Sequence, residues 1–132
     1  MKGSGLSEHR LRQALGLLGG LQLATGLALA IVPGTFYDAI ANFGVRNDHF
    51  LQDFATYYLA TGVALLMSIE RRSWRVPVLF VVTAQYVLHT INHLLDIGDA
   101  DPGWVGPFDF ITLAAAGAVL GYVLHSAARA ES

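Results

Sequence analysis

The sequence predicts an all-α integral membrane protein, a single membrane domain (residues 1–132) built as a four-helix bundle. Hydrophobic residues make up 54% of the chain and charged residues only 14%, whereas soluble domains carry about 25% charged residues. Four apolar runs recur at regular intervals, each close to the roughly 20 residues that cross a ~30 Å hydrocarbon layer as a helix. The runs are continuously apolar rather than alternating, which favours helices over strands.

The composition also excludes several classes of function. The 132 residues contain no cysteine, so disulfides, thiolate metal sites and cysteine nucleophiles are excluded. The net charge of −2 gives no electrostatic attraction to a nucleic acid, whose binding depends on basic residues. The expected partner of such a chain is the lipid bilayer.

Proline and glycine mark the ends of the apolar runs. Pro33 follows the first run, Pro77 lies in the first turn of the third, where proline is tolerated, and Pro107 opens the fourth. The predicted spans are residues 13–32, 51–69, 76–95 and 108–126. The aromatic residues of the connection at about 35–43 predict either a short interfacial helix or an irregular loop with aromatic anchors. Asn47 or Asp48 is placed to cap the second span.

The charges predict the orientation of the chain in the membrane. Seven of the eight basic residues fall on one side of the four spans, and only Arg46 falls on the other. The positive-inside rule then places both termini and the loop between the second and third spans in the cytoplasm, and the two longer connections outside. The seven basic residues are Lys2, Arg10, Arg12, Arg71, Arg72, Arg75 and Arg129.

Polar side chains form a stripe on the third span, where lipid would make them costly. At about 100° per residue they occupy an arc of only about 100°, so we expect them to point into the bundle. The stripe consists of Gln85, His89, Asn92, His93 and Asp96.

The second and fourth spans carry further polar groups near the same level. His49, Asp53 and Tyr57 share an arc of the second span, and Asp109 lies near the start of the fourth. Counting back from the cytoplasmic charges at about 1.5 Å per residue places Asp53, His93 and Asp109 in one plane near the outer boundary.

This constellation predicts a metal or cofactor site, because imidazoles and carboxylates are the ligands that Zn, Fe and Mn take in proteins. The predicted ligands are His49, Asp53, His89, His93 and Asp109. Gln85 and Asn92 are expected to orient the imidazoles, and Tyr57 to line the site. Haem, held by His49 with His89 or His93, is a weaker alternative. The chemistry expected of such a site is membrane redox catalysis, as in a metal-dependent oxidoreductase.

Two other functions remain open on the sequence. The same pocket can hold a lipid-like or quinone-like ligand in a non-enzymatic binding or transport component. Alternatively, the polar residues only tie helices together in a structural membrane subunit, and a homodimer is compatible with this interpretation. Gly16 and Gly20 are spaced for close helix packing within the chain. The loop that contains Arg75 is interpreted as a topology signal.

The pattern N-x-H-x-x-x-D, a following Y-x-A and a later H-x-x-x-H resemble small four-helix bacterial membrane proteins of the DoxX-like kind, especially uncharacterised actinobacterial-type members. The resemblance covers about residues 33–124. It implies a four-helix fold and a multi-pass protein of the bacterial plasma (inner) membrane. Some relatives are associated with thiosulfate or quinone redox chemistry, but no residue here independently supports thiosulfate oxidation. The matching residues are Asn47, His49, Asp53, Tyr58, Ala60, His89 and His93.

Overall fold

A computed structural model of the chain describes residues 5–131, and these residues are helical apart from short connections. The predicted all-α class is confirmed, since the described part of the chain forms no strand beyond an isolated antiparallel bridge between Phe43 and Ala100. A 3-10 turn links the third and fourth α-helices. The α-helices are α1 (Glu8–Ile31), α2 (Pro33–Ile40), α3 (Asp48–Glu70), α4 (Arg75–Leu95) and α5 (Val105–Glu131), and the 3-10 turn is Arg72–Trp74.

Three of the described helical segments are long and apolar enough to cross a membrane: Glu8–Ile31, Arg72–Leu95 and Val105–Glu131. Large apolar side chains on these helices are exposed, as on a surface that contacts lipid; Leu17 and Leu95 are each 77% exposed. Helix α3, the predicted second span, is not among the three. Its first turns carry polar and charged residues, which lower its mean hydropathy.

The connection before α3 settles which residue caps that helix. Oδ1 of Asn47 accepts a hydrogen bond from the Phe50 backbone N–H at 3.0 Å, so Asn47 is the cap. Asp48 instead accepts two hydrogen bonds from the Arg46 guanidinium at 2.6 and 2.8 Å. These hydrogen bonds raise the pKa of Arg46. The segment at 35–43, for which a helix and an irregular loop were both expected, begins as helix α2.

The four long helices pack mainly as two pairs, α1 with α3 and α4 with α5, and the two pairs contact each other less extensively. Fully buried leucines from all four helices form the core between them. Across this core, Gln22 of α1 donates to Oγ1 of Thr61 at 3.3 Å and accepts from the hydroxyl of Tyr86 at 3.2 Å. Gln22 is 3% exposed, and it joins α1, α3 and α4 at the centre.

Close packing of α1 on α3 depends on glycines other than the expected pair. A Cβ at Gly20 would meet nothing within 4 Å, and one at Gly16 would make only an ordinary contact. A Cβ at Gly26, in contrast, would lie 2.8 Å from Cγ and 3.0 Å from the backbone nitrogen of Leu59, and Gly19 and Gly62 are similarly crowded. Gly19, Gly26 and Gly62 therefore set the distance between the two helices.

This difference yields a matched prediction within α1. Gly26→Val is expected to destabilise the fold by about 1–3 kcal/mol, because added methyl groups in a packed interface force the backbones apart. Gly20→Val introduces the same residue at an open position and is expected to leave stability nearly unchanged. The midpoint of thermal unfolding in detergent measures both. Equal midpoints for the two variants would contradict the assignment of Gly26 to the interface.

At one end of the molecule, the start of α1 is fastened to the connection between α3 and α4. The Arg75 guanidinium donates to both oxygens of Glu8 at 2.9 and 3.0 Å, and to the carbonyls of Ser68 and Ile69. Arg75 is 2% exposed, so it is a structural anchor and not only a topology signal. Arg12 adds a 2.5 Å ion pair to Glu70. We call this the termini end; Lys2, which the charge pattern assigns to the same side, lies outside the described residues.

Candidate functional site

The opposite end of the helices, which we call the loop end, contains a cavity of about 950 Å³. All four long helices and α2 contribute to its wall. Most of the wall is apolar and aromatic, and it includes Leu29, Phe36, Phe54, Phe80 and Leu113. Phe80 is 62% exposed yet lines the cavity, so the cavity opens to the lateral surface of the helices.

The predicted polar stripe of α4 faces this cavity. The lining includes all five of its members, Gln85, His89, Asn92, His93 and Asp96. The same face of α4 continues toward the termini end as Leu79, Val82 and Tyr86, which are buried in the core, so the histidines of the stripe also point inward. A mostly apolar cavity therefore has one polar strip along its wall.

Two histidines form the centre of the strip. The i, i+4 spacing places Nε2 of His89 3.1 Å from Nε2 of His93, within hydrogen-bond distance. Each ring also has an aromatic neighbour packed edge to face: Phe54 against His89, with ring centroids 5.8 Å apart, and Phe43 against His93, at 4.8 Å. Each imidazole therefore packs against one aromatic ring and against the other imidazole.

Asp109, near the start of α5, is the acidic group closest to the pair. Its Oδ2 lies 3.9 Å from Nδ1 of His93, and the two side chains are 11% and 13% exposed. The structure thus brings together His93 and Asp109, which lie on different helices and were placed at one depth by their sequence positions. Thr112, one turn beyond Asp109, also lines the cavity.

Three buried polar atoms in the cavity wall have no hydrogen-bond partner among the described residues. They are Oε1 of Gln85, Nδ1 of His89 and Nδ1 of His93. Buried polar groups in proteins are nearly always paired, and an unpaired one costs about 1–3 kcal/mol. All three atoms belong to residues that line this cavity.

The two connections at the loop end cover the end of the cavity, and we call them together the lid (residues 41–47 and 96–104). They pair through the Phe43–Ala100 bridge and a 3.1 Å hydrogen bond from the Asp101 N–H to the Asn42 carbonyl. The Tyr37 hydroxyl donates to the Gly44 carbonyl and holds the first connection on α2. Because Phe43 belongs to the lid and packs on His93, lid and histidine pair are in direct contact.

The predicted metal centre is wrong. Residues 5–131 contain no group of three or more His, Cys, Asp or Glu side chains that could hold a metal ion. Asp109 faces Nδ1 of His93, whereas His89 faces Nε2 on the other side of the same ring, so the three groups do not converge on one point. His49 and Asp53 contact each other at 3.4 Å, but they are 86% and 69% exposed and line no part of the cavity.

Helix packing explains why the residues of α3 do not reach the site. Helix α3 buries a face that includes Tyr58 and Gly62, and at 100° per residue His49 and Asp53 lie roughly on the opposite face. The haem alternative required His49 and is wrong for the same reason. Tyr57 stacks on Phe54 outside the cavity lining, and Tyr58 lines it instead.

The sequence interpretation did not place the aromatic residues of the lining in the site, and it did not include the buried Gln22. Gln22 could have been found as an isolated amide in the middle of an apolar run, by the same reasoning that identified the stripe on α4. Phe43 and Phe54 could not, because phenylalanine in such a sequence is equally typical of a lipid-facing surface. Comparisons of the chain with protein-family models, with curated proteins and with solved structures found no match to any of them.

Proposed function

We propose that the chain is a four-helix integral membrane protein whose cavity binds an apolar, lipid-like molecule with a polar end group. The observation that carries this proposal is the combination of an apolar wall with unpartnered buried polar atoms on His89 and Gln85. A volume of about 950 Å³ lies within the roughly 300–1,000 Å³ typical of ligand pockets. The lateral opening gives a lipid-like molecule access from the bilayer.

The membrane arrangement in this proposal has all four long helices as spans. Helix α3 is the fourth span, with its polar first turns in the headgroup layer, where polar groups cost less than at the midplane. The basic residues favour an orientation with both termini in the cytoplasm and the lid outside. The resemblance to DoxX-like proteins is in keeping with this arrangement and with the bacterial plasma membrane.

Photolabelling tests the proposed binding function. The full chain is reconstituted in nanodiscs with a long-chain probe that carries a diazirine group, irradiated and digested, and the labelled residues are mapped by mass spectrometry. We expect label on cavity residues such as Phe54 and Leu113, and saturation of that label as probe is added. Label confined to exposed positions such as Leu17, increasing linearly with probe, would contradict a binding site and favour a structural membrane subunit.

A matched pair of variants in α5 makes the test specific. Ala116 lines the cavity, whereas its neighbour Ala115 is exposed on the outer face of the same helix. Ala116→Trp fills part of the cavity and is expected to reduce the saturable label at least about tenfold, because the indole occupies the volume of the ligand. Ala115→Trp adds the same side chain outside and is expected to leave the label unchanged.

A further inference from the structure

The two cavity histidines share one hydrogen bond, and this constrains the positions of their protons. Nε2 of His89 faces Nε2 of His93, so one ring donates its N–H and the other accepts. A neutral imidazole carries a single N–H. The ring that accepts at Nε2 must therefore carry its proton on Nδ1, and the ring that donates at Nε2 has an unprotonated Nδ1.

The position of Asp109 decides which of the two rings donates the shared hydrogen bond and which accepts it. Its carboxylate lies 3.9 Å from Nδ1 of His93, too far for a direct hydrogen bond. Because both side chains are largely buried, water screens the negative charge of Asp109 only weakly. The charge therefore favours a proton on the nitrogen that faces it. The charge of Asp96, which accepts a 3.4 Å hydrogen bond from the Asn92 amide, also acts on His93, but Asp109 is the carboxylate that faces its Nδ1. His93 thus carries its proton on Nδ1 and accepts at Nε2.

The proton position on His93 also fixes the proton position on His89, which lines the cavity. His89 donates from Nε2 to His93, and its Nδ1 is then an acceptor. That nitrogen is buried without a partner, as is Oε1 of Gln85, one turn earlier on the same face. A carbonyl oxygen can only accept. The cavity wall therefore contains two buried acceptors that lack a donor, Nδ1 of His89 and Oε1 of Gln85, beside the unpaired Nδ1–H of His93.

We propose that the ligand of the cavity is an apolar molecule with a hydroxyl group, which donates a hydrogen bond to Nδ1 of His89. A ketone, ester or ether oxygen accepts and cannot donate, so it would leave Nδ1 of His89 unpaired in the buried wall, which is costly. This inference rests on the proposed binding function and adds to it the chemical class of the ligand.

The test compares two diazirine-bearing probes that differ only in their end group, hexadecanol and its methyl ether. Both are titrated on the full chain in nanodiscs at about pH 8, where aspartate carboxylates are ionised, and the half-saturating concentration is read from the label on cavity residues. We expect about tenfold tighter binding of the alcohol, because the ether leaves the His89 acceptor unpaired.

Two variants locate the origin of the preference. His89→Phe keeps a ring of similar size but no acceptor, and it is expected to bind alcohol and ether equally. Asp109→Asn removes the charge that orients His93 and is expected to reduce the preference to about threefold or less. An alcohol preference that survives in His89→Phe would overturn the assignment of the acceptor to His89.

The wild-type protein alone separates the two proposals. Equal saturable binding of alcohol and ether overturns the hydroxyl inference and leaves the binding function standing. If neither probe gives saturable label, the binding function and the hydroxyl inference are both overturned. Thermal unfolding of each variant, measured in the same nanodiscs, shows whether a loss of label reflects loss of the fold.

Discussion

Replacing Arg75 with alanine is expected to lower the free energy of unfolding by about 3 kcal/mol, because it removes a buried guanidinium together with its hydrogen bonds to one carboxylate and two carbonyls. The side chain is 3% exposed, and Glu8 opposite it is 41% exposed. Arg75 also donates to the carbonyls of Ser68 and Ile69 in the last turn of α3. One substitution therefore removes hydrogen bonds to three groups on two helices, of which Glu8 keeps Arg72 and the Ile69 carbonyl keeps Arg12.

Arg72 provides the control for this prediction. It belongs to the same connection and lies 3.4 Å from the same carboxylate, but its side chain is 72% exposed. Exposed ion pairs contribute about 0–1 kcal/mol, so Arg72→Ala is expected to be nearly neutral. Denaturant titration in mixed micelles, followed by far-UV circular dichroism, measures both variants. If Arg72→Ala and Arg75→Ala cost the same, the anchoring role of Arg75 is wrong.

Gly106→Ala is expected to open the lid and lower stability by about 1–3 kcal/mol or more, as overpacking does. A Cβ at Gly106 would lie 2.0 Å from the carbonyl oxygen of Ile97 and 2.9 Å from its carbonyl carbon. Both are backbone atoms, so no side-chain rotation relieves the contact. The segment that begins at Ile97 must move away from α5, and this segment carries Ala100 and Asp101, which bind the other half of the lid.

Gly98 is the matched control, since it lies in the same connection and a Cβ there would meet nothing within 4 Å. Gly98→Ala is expected to leave the stability and the contacts of the lid unchanged. Hydrogen exchange of the Asp101 amide, which is bonded to the Asn42 carbonyl, reports on lid opening directly. We expect faster exchange in Gly106→Ala than in the wild type or Gly98→Ala. Unchanged protection of that amide would show that the lid does not depend on Gly106.

The helices themselves could be predicted from the sequence, because their signals are local. Apolar runs of membrane length, prolines at their boundaries and the cap at Asn47 each act within a few residues. The direction of the α4 stripe was also predictable, since polar side chains of an apolar helix avoid lipid wherever a protein interior is available.

Which face each of the other helices turns inward could not be predicted in the same way. The arc of α3 with His49 and Asp53 looked equivalent to the stripe of α4, but that helix is oriented by its contact with α1. The contact depends on the fit of Gly62 against Leu23 and of Gly26 against Leu59, which no periodicity in one helix reveals. The metal prediction failed at this step, because it required α3 to face α4 with its polar side.

The buried role of Arg75 illustrates the same limit. In the sequence it is one of several arginines in a short basic loop, and all of them fit the positive-inside rule equally well. Arg75 differs from Arg71 and Arg72 in that its side chain is buried between the last turn of α3 and Glu8, which is 67 residues away in the chain. Pairings between distant residues of this kind become visible only once the fold is known.

The unequal fastening of the two helix pairs has a mechanical consequence. At one extremity a buried guanidinium holds three helices by charge-assisted hydrogen bonds, whereas at the other two short chain segments meet through one bridge and one main-chain hydrogen bond. The two helix pairs should therefore separate more readily at the loop end than at the termini end. In the proposed orientation the loop end lies in the outer leaflet, so ligand molecules would exchange with that leaflet. The inner leaflet surrounds the more rigid termini end.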